Sequence, residues 1–270
     1  MNERFQATWL ALRETADHRA RALEPLARLR AWAAEKSRLR VLDLGAGTGS
    51  NLRFLAPQLG VPQHWTLLDH DADLLAQVHL PATRHPVEWD AVCADLAQWR
   101  KSAEDVRFDL VTASALIDLV PESWLHSFAT GCAELGAAVH IALSYDGTVR
   151  WSGPAPLDAE VLATVNAHQE RDKGLGGALG PRATERLAHF LEVRGYRVWT
   201  RASPWRLGRE SASLAEHLIA GWVQAASEQN PSRADRYRDW GTRRLADLAS
   251  GHTEIRVGHR DLVALPDPTE

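Results

Sequence analysis

Residues 43–49 read Asp-Leu-Gly-Ala-Gly-Thr-Gly and follow directly on the apolar pair Val41-Leu42. Gly45, Gly47 and Gly49 allow a tight turn and let backbone N–H groups approach a ligand at the start of the helix that follows. Asp43 precedes this turn and Asn51 follows it. A second acidic residue, Asp69, ends the short run 65–69, with His70 beside it. An Asp in that place can accept hydrogen bonds from both hydroxyls of a ribose. Two more stretches follow in order, Cys93-Ala94-Asp95-Leu96 and Phe108 to Ser114. The dinucleotide fingerprint G-x-G-x-x-G requires glycine at position 50, where the chain has Ser50, and this counts against a nicotinamide oxidoreductase.

The elements that must hold these residues alternate. Apolar spacing predicts two helices over 3–36, interrupted near Pro25, then strands over 40–44, 65–69, 87–93, 108–114 and 137–143. Helices are expected over 51–59, 72–78 (capped by Asp71) and 123–135 (capped by Ser123). Such alternation is the pattern of a parallel sheet covered on both faces. Beyond it come a Gly- and Pro-rich region over 146–180 with a helix near 158–168, a helix over 181–193 and a strand over 196–200. Ser213-Leu-Ala-Glu216 has capping-box spacing, opening a helix that stops before Pro231. A helix over 233–249 and a final strand over 254–265, bent at Gly258, complete the chain.

The four motifs, in this order and context, resemble the class I S-adenosylmethionine-dependent methyltransferases. The resemblance implies an α/β, Rossmann-like doubly wound sheet of about seven strands, the last antiparallel, with helical insertions. It implies that S-adenosylmethionine is the cofactor and S-adenosylhomocysteine its product. The expected donor site is Asp43, Gly45, Gly47, Gly49, Asn51, Asp69, His70, Asp95, Leu96 and Ser114. In it Asp95 accepts from the adenine amino group, and Leu96 offers its N–H and apolar contact to the ring. The expected organisation is one domain over 1–270: N-terminal helices 1–38, donor core 39–145, a lid-like insertion 146–180 and a helical insertion 211–250.

Methyl transfer from a sulfonium is an in-line displacement, so the protein must above all orient the acceptor; a base is needed only where the nucleophile loses a proton. Acceptor residues are expected around the mouth of the donor crevice. Arg13 is positioned to pair with a carboxylate, and Asp118 follows the fourth strand. The Asn/Asp-Pro-Pro-Tyr/Phe pattern of many enzymes that methylate DNA bases or amide nitrogens is missing at Ser114–Asp118. Tyr145 and Asp146 end the fifth strand. His168 and Asp172, four residues apart and followed by Gly174, Gly176, Gly177 and Gly180, are the expected catalytic pair on a mobile lid. The stripe Leu214, Leu218, Trp222, Ala226 is expected to pack on the sheet.

Composition narrows the partners. The formal charge is −4, with 31 Lys+Arg against 35 Asp+Glu, which argues against a broadly basic nucleic-acid surface. Nine Lys/Arg against five Asp/Glu in the first forty residues read as a solvated helix face. Two cysteines without metal-ligand spacing predict no disulfide, no metal site and a reducing cytoplasm. Neither a secretory signal nor a membrane span is expected. Eleven tryptophans are unusually many; most are expected to fill the core and some to face an aromatic or hydrophobic substrate. The predicted work is methylation of an O, N or C atom of a small molecule, with no DNA and no membrane partner. A homodimer stays among the options. The rivals are methylation of protein or RNA, marked by an open charged groove, and a donor-binding partner protein without catalysis.

Overall fold

The computed structural model describes residues 6–101, 106–172, 175–251 and 253–267. Its sheet runs β3 (Val87–Cys93), β2 (Gln63–Asp69), β1 (Leu39–Leu44), β4 (Leu110–Ser114), β5 (Ala138–Trp151), β8 (Ile255–Pro266) and β6 (Tyr196–Ala202), while the short β7 (Trp205–Leu207) also pairs with β8. Strands β1 to β5 are parallel, and β8 is antiparallel to β5, β6 and β7. The expected fold is therefore present with an eighth strand, β7, that is too short to register as apolar alternation. Registers Asp43↔Thr112 and Leu44↔Leu68 align the ends of β1, β2 and β4 along one edge. The chain order reverses between β1 and β4, and the crevice outside such a switch point is where open α/β sheets bind ligands.

Two helix layers cover the sheet. On one face α2 (Leu23–Ala33) and α3 (Ser50–Leu59) bury Leu29, Leu52 and Leu55 against Val41 and Trp65. On the other, α5 (Glu122–Leu135) and α7 (Ala183–Glu192) bury Phe128 and Leu187 against Leu42 and Ile141. A third apolar cluster joins α6 (Asp158–Gln169), α8 (Ala212–Gln229) and α9 (Ala234–Ala249) to the far half of β5, β7 and the start of β8. Arg244 fastens it, bonding Asp158 through Nε at 3.0 Å and the Gly153 carbonyl at 2.9 Å while stacking 4.1 Å over Trp151.

Several expected boundaries move. The predicted start of the first helix at residue 3 lies outside the described residues; α1 spans Ala7–Ala20. The break between α1 and α2 falls at Arg21-Ala22, and Pro25 sits in the first turn of α2, where N–H groups have no intrahelical partner to lose. Ser123 and Ser213 lie inside helices that open at Glu122 and Ala212, so neither is a cap. Asp71 does cap α4 (Ala72–Leu75), accepting from Asp73 N and Leu74 N. The region expected as a lid begins as strand, because β5 continues to Trp151 against β8. Further on, Ala178, Leu179 and Gly180 are buried and the Leu179 N–H donates to the Val120 carbonyl at 2.9 Å, so this end of the glycine-rich stretch is tucked into the body. The irregularity expected at Gly258 belongs to β5, whose register against β8 shifts between Ile141 and Ser144 and again between Tyr145 and Val149. Gly258 leaves room for the second bulge: a Cβ there would collide with Asp146 and Thr148.

The first bulge puts Leu143 at φ 55°, a conformation costly for a residue with a side chain. It is held by Asp261 of β8, whose Oδ1 accepts from Leu143 N at 2.8 Å and Ser203 Oγ at 2.6 Å. Oδ2 accepts from Ala22 N at 2.8 Å, which fixes the α1–α2 break. Asp261→Ala should strand all three donors in the interior and lower stability by about 3–5 kcal/mol. A shift of the urea midpoint at unchanged m-value measures this; a shift within error would show that the bulge and the break hold themselves.

Candidate active site

The turn after β1 depends on its glycines: Gly45, Gly47 and Gly49 have φ of 64°, 53° and 82°. Side chains there would also press on Leu116, Leu10 and Val78 respectively. Asp69, buried at the end of β2, accepts from Gly47 N at 2.8 Å and from Asp71 N at 3.0 Å, and His70 Nδ1 lies 3.2 Å from it. Each carboxylate oxygen keeps a further lone pair. Between the turn and α1 lies a cavity of about 810 Å³, walled by Gly45, Gly47, Asn51, Asp69, His70 and Ser114 among the expected residues, and by Leu10 and Arg13 of α1. Gly49 stands behind it as the left-handed residue that starts α3. Asp95 and Leu96 are outside the wall. Asp95 accepts from Ala97 N at 2.8 Å, which holds its carboxyl below the usual range, and Leu96 is buried with its carbonyl accepting from Trp124 Nε1.

Beneath the turn runs a buried polar row. Asn51 donates through Nδ2 to Asp43 Oδ1 at 2.9 Å and to Thr112 Oγ1 at 3.1 Å, and Thr112 Oγ1 lies 3.1 Å from His140 Nδ1. Arg21 enters from the helix break and donates to Asn51 Oδ1 and Ser114 Oγ, both at 3.2 Å. Burial pushes the Asp43 carboxyl up to about 7, with the Asn51 bond and Arg21 opposing it. Burial, reinforced by Arg21, takes His140 down to about 3, so it is neutral. Among the described residues, Asp43 Oδ2, Arg21 Nε and Nη1, and His70 Nε2 are buried with no hydrogen-bond partner. These three residues sit in or directly under the cavity wall, a mixed set of donors and acceptors suited to a ligand with an amino-acid end and a hydroxylated end.

A second cavity, of about 780 Å³, adjoins the first; Arg13, Ala115 and Leu119 belong to both walls. It contains the expected Asp118 and Tyr145 together with Trp9, Trp205, Trp222 and His259. Arg13 is bound side-on by Asp17, at 2.9 and 3.2 Å, and lies 4.9 Å over the Trp205 ring. Ala115, at φ 53°, and Leu143 place two non-glycine residues in the left-handed region in one cavity wall. Such strain concentrates at functional sites.

Three expected acceptor-site residues lie elsewhere. The turn of α6 carries His168 towards α8, where Nε2 is 3.0 Å from Glu228 Oε2, and Gln169 is the residue of that pair facing the cavity. Asp172 accepts from Gly176 N at 2.9 Å and bridges to Gly177. Asp146 accepts from Thr148 N at 3.0 Å in the second bulge of β5. Lys173 and Gly174 lie outside the described residues. The stripe on α8 divides: Leu214 and Ala226 are buried in the helical layer, whereas Leu218 and Trp222 line the cavity. Arg21 and His259 left no local signal in the sequence. Trp205 was visible only as part of a tryptophan excess, and Trp222 only as a member of a stripe expected to pack on the sheet. Among the described residues, no group of three or more His, Cys, Asp or Glu could hold a metal ion, and no helix is long and apolar enough to cross a membrane.

The comparisons agree with this geometry. Residues 41–135 match the family model of a methyltransferase domain. A stretch of 93 residues, 29% of this chain, is 39% identical to the biotin biosynthesis bifunctional protein BioCD of Bordetella avium; the match spans 20% of that relative's length. A cyclopropane-fatty-acyl-phospholipid synthase-like protein from Lactobacillus casei has the same fold, with TM-score 0.52 at 17% identity over 95% of this chain and 92% of the other. A methyltransferase from Geobacter sulfurreducens, solved with S-adenosyl-L-homocysteine, aligns with TM-score 0.45 at 17% identity, covering 97% and 98% of the two chains. The matched segment contains the glycine turn, Asp69 and the β1/β4 switch point. The family-model match supports a class I S-adenosylmethionine-dependent methyltransferase domain in that part of the chain, residues 41–135.

Two outcomes follow for the donor half. Asp69→Ala removes the anchor of Gly47 N as well as acceptors for ligand hydroxyls, and should weaken S-adenosylhomocysteine binding by about 1.5–3 kcal/mol; Gly47→Val should abolish it. Calorimetry that finds either variant binding like wild type would dislodge the glycine turn as the donor site. The second outcome concerns pH. The folded protein holds the Asp43 proton up to about 7 against an ordinary value of 3.8, so it binds more protons than the unfolded chain between those values. Stability of the ligand-free protein should therefore fall as pH rises through that window. Asp43→Asn should flatten this part of the profile, and identical thermal-melt profiles for the two proteins would contradict it.

Proposed function

We propose that the protein transfers a methyl group from S-adenosylmethionine, held under the glycine turn, to a small molecule in the adjoining aromatic cavity. The observation that carries this reading is the common wall: Arg13, Ala115 and Leu119 bound both cavities, so ligands in the two spaces would meet there. When bound, the donor supplies a methyl group activated by a positively charged sulfur. Asp69 would take the ribose hydroxyls; Asp95 and Leu96, outside the cavity wall, could reach the adenine only at its outer edge. Asp43, Arg21 and Ser114 would meet the methionine end, the first two through atoms with no hydrogen-bond partner among the described residues. Binding there would desolvate Asp43 further, but a cationic amine beside it favours the charged carboxylate.

The chain's remaining task is to orient and to exclude water, which is most of what an in-line displacement asks. Trp9, Trp205 and Trp222 serve that purpose as rigid walls. A concave, aromatic acceptor space supports a small molecule over protein or RNA, for which an open charged groove beside the donor would be expected. The two unpaired cysteines, Cys93 and Cys132, fit a reducing cytoplasm.

The test is to incubate the protein with methyl-labelled S-adenosylmethionine and a cell extract separated into small-molecule, protein and RNA fractions. Label should enter the small-molecule fraction. Trp222→Ala should reduce that transfer through acceptor KM while leaving donor affinity at the wild-type value. Label confined to protein or RNA, or donor binding without transfer to any fraction, would overturn the proposal.

A further inference from the structure

The acceptor cavity has features that select among small molecules. Its walls are flat rings: Trp9, Tyr145, Trp205 and Trp222. Trp205 and Tyr145 in turn hold His259, with ring centroids 4.8 and 6.2 Å away. His259 is 5% exposed, and among the described residues its Nδ1 has no hydrogen-bond partner; the same is true of the buried Oε1 of Gln169, which lines the same cavity. Burial first, then the nearby Arg13 cation, lowers His259 to about 3, so the imidazole is neutral and brings no charge. The charged groups in the wall are Asp118 and Arg13, and Arg13 is already engaged by Asp17. The space therefore offers no uncompensated cation to an anionic acceptor.

An amide oxygen can only accept a hydrogen bond, so Gln169 Oε1 requires a ligand that donates one. Buried polar atoms left unmatched oppose binding of anything that lacks the complementary group. Flat indole walls favour a flat partner. Resting on the assignment of this cavity to the acceptor, we infer that the acceptor is a neutral, planar aromatic compound bearing a hydroxyl or ring N–H, its polar edge matched to Gln169 and His259. A lone pair on its oxygen or nitrogen forms the new bond to the methyl carbon, the electrons of the methyl–sulfur bond return to sulfur, and the proton leaves through the Asp118 carboxylate to solvent. His259 is then a specificity-determining residue.

Calorimetry on the protein saturated with S-adenosylhomocysteine tests this with four probes: 2-naphthol, 8-hydroxyquinoline, naphthalene and 1-decanol. The two hydroxylated rings should bind about tenfold or more tightly than naphthalene or decanol, the contribution of roughly one hydrogen bond in the interior. His259→Phe keeps the ring packing on Trp205 and Tyr145 and should erase most of that preference; His259→Asn restores a polar atom near Nδ1 and should recover part. Decanol binding more tightly than naphthol would overturn the class in favour of an alkyl-chain acceptor. Equal binding of naphthol and naphthalene, or no planar probe bound, would overturn it as well. Failure to bind S-adenosylhomocysteine in the first place would strike the methyltransferase reading itself, and this is measured separately before any probe is added.

Discussion

A buried guanidinium with no ion-pair partner in contact is the constraint around which this molecule is arranged. Arg21 is 6% exposed and, among the described residues, hydrogen-bonds only the neutral groups of Asn51 and Ser114. An isolated cation in such a place is strongly unfavourable. Burial does lower its affinity for a proton, but Asp261, Asp17 and Asp43 oppose that, in this order. These three carboxylates come from β8, α1 and β1. The charge of Arg21 is thus tolerated only when the last strand, the N-terminal helix and the donor strand have all come together. Asp261 adds a directional requirement, because its two oxygens are already committed to backbone N–H groups of Ala22 and Leu143 and to Ser203.

That arrangement couples the two halves of the site without a shared catalytic side chain. On the donor side, Arg21 and Asn51 hold Asp43 beneath the glycine turn, and Asp69 holds the turn itself through Gly47 N. On the acceptor side, Asp261 stabilises the left-handed Leu143, and Asp17 holds both Arg13 and, through a 3.0 Å bond, Trp205 Nε1. Arg13 is consequently pinned at the boundary between the two cavities by a carboxylate that also steadies Arg21. If the two cavities are the donor and acceptor spaces as proposed, ligands in both would act on the same set of buried charges.

What could be read in the sequence was what depends on neighbours in the chain. The glycine turn, Asp69 at a strand end, the Asp71 cap and the strand–helix alternation are local features, and each appears within a few residues of its expected place. The acceptor half was less legible because it is made by contacts between residues far apart. Arg21 meets Ser114 across 93 positions, and Asp261 meets Ala22 across 239. His168 and Gln169 show the limit at its sharpest. The polar run drew attention to the right segment, yet adjacent residues on a helix face about 100° apart, and only the packing of α6 on α8 decides which one points inward. β7, three residues long, is a strand only because β8 extends past β6 to pair with it.

The distribution of strain gives the two halves different characters. In the donor half every left-handed residue of the turn is a glycine, so the conformation is intrinsic and the loop is preorganised before ligand arrives. In the acceptor half Ala115 and Leu143 occupy the same region of backbone space with side chains, and hydrogen bonds from Ala115 N to the Ala142 carbonyl and from Leu143 N to Asp261 hold them there. Those side chains project into the region where glycine would leave a gap, and they help form the cavity wall. On the proposed reading, the wall of the acceptor space is shaped at the expense of backbone ease, whereas the donor turn needs no such compromise. The acceptor wall is also where α1, β5, β8 and the α6–α8 layer converge, so substitutions in that layer can reshape the acceptor space while the β1–β4 crevice stays as it is.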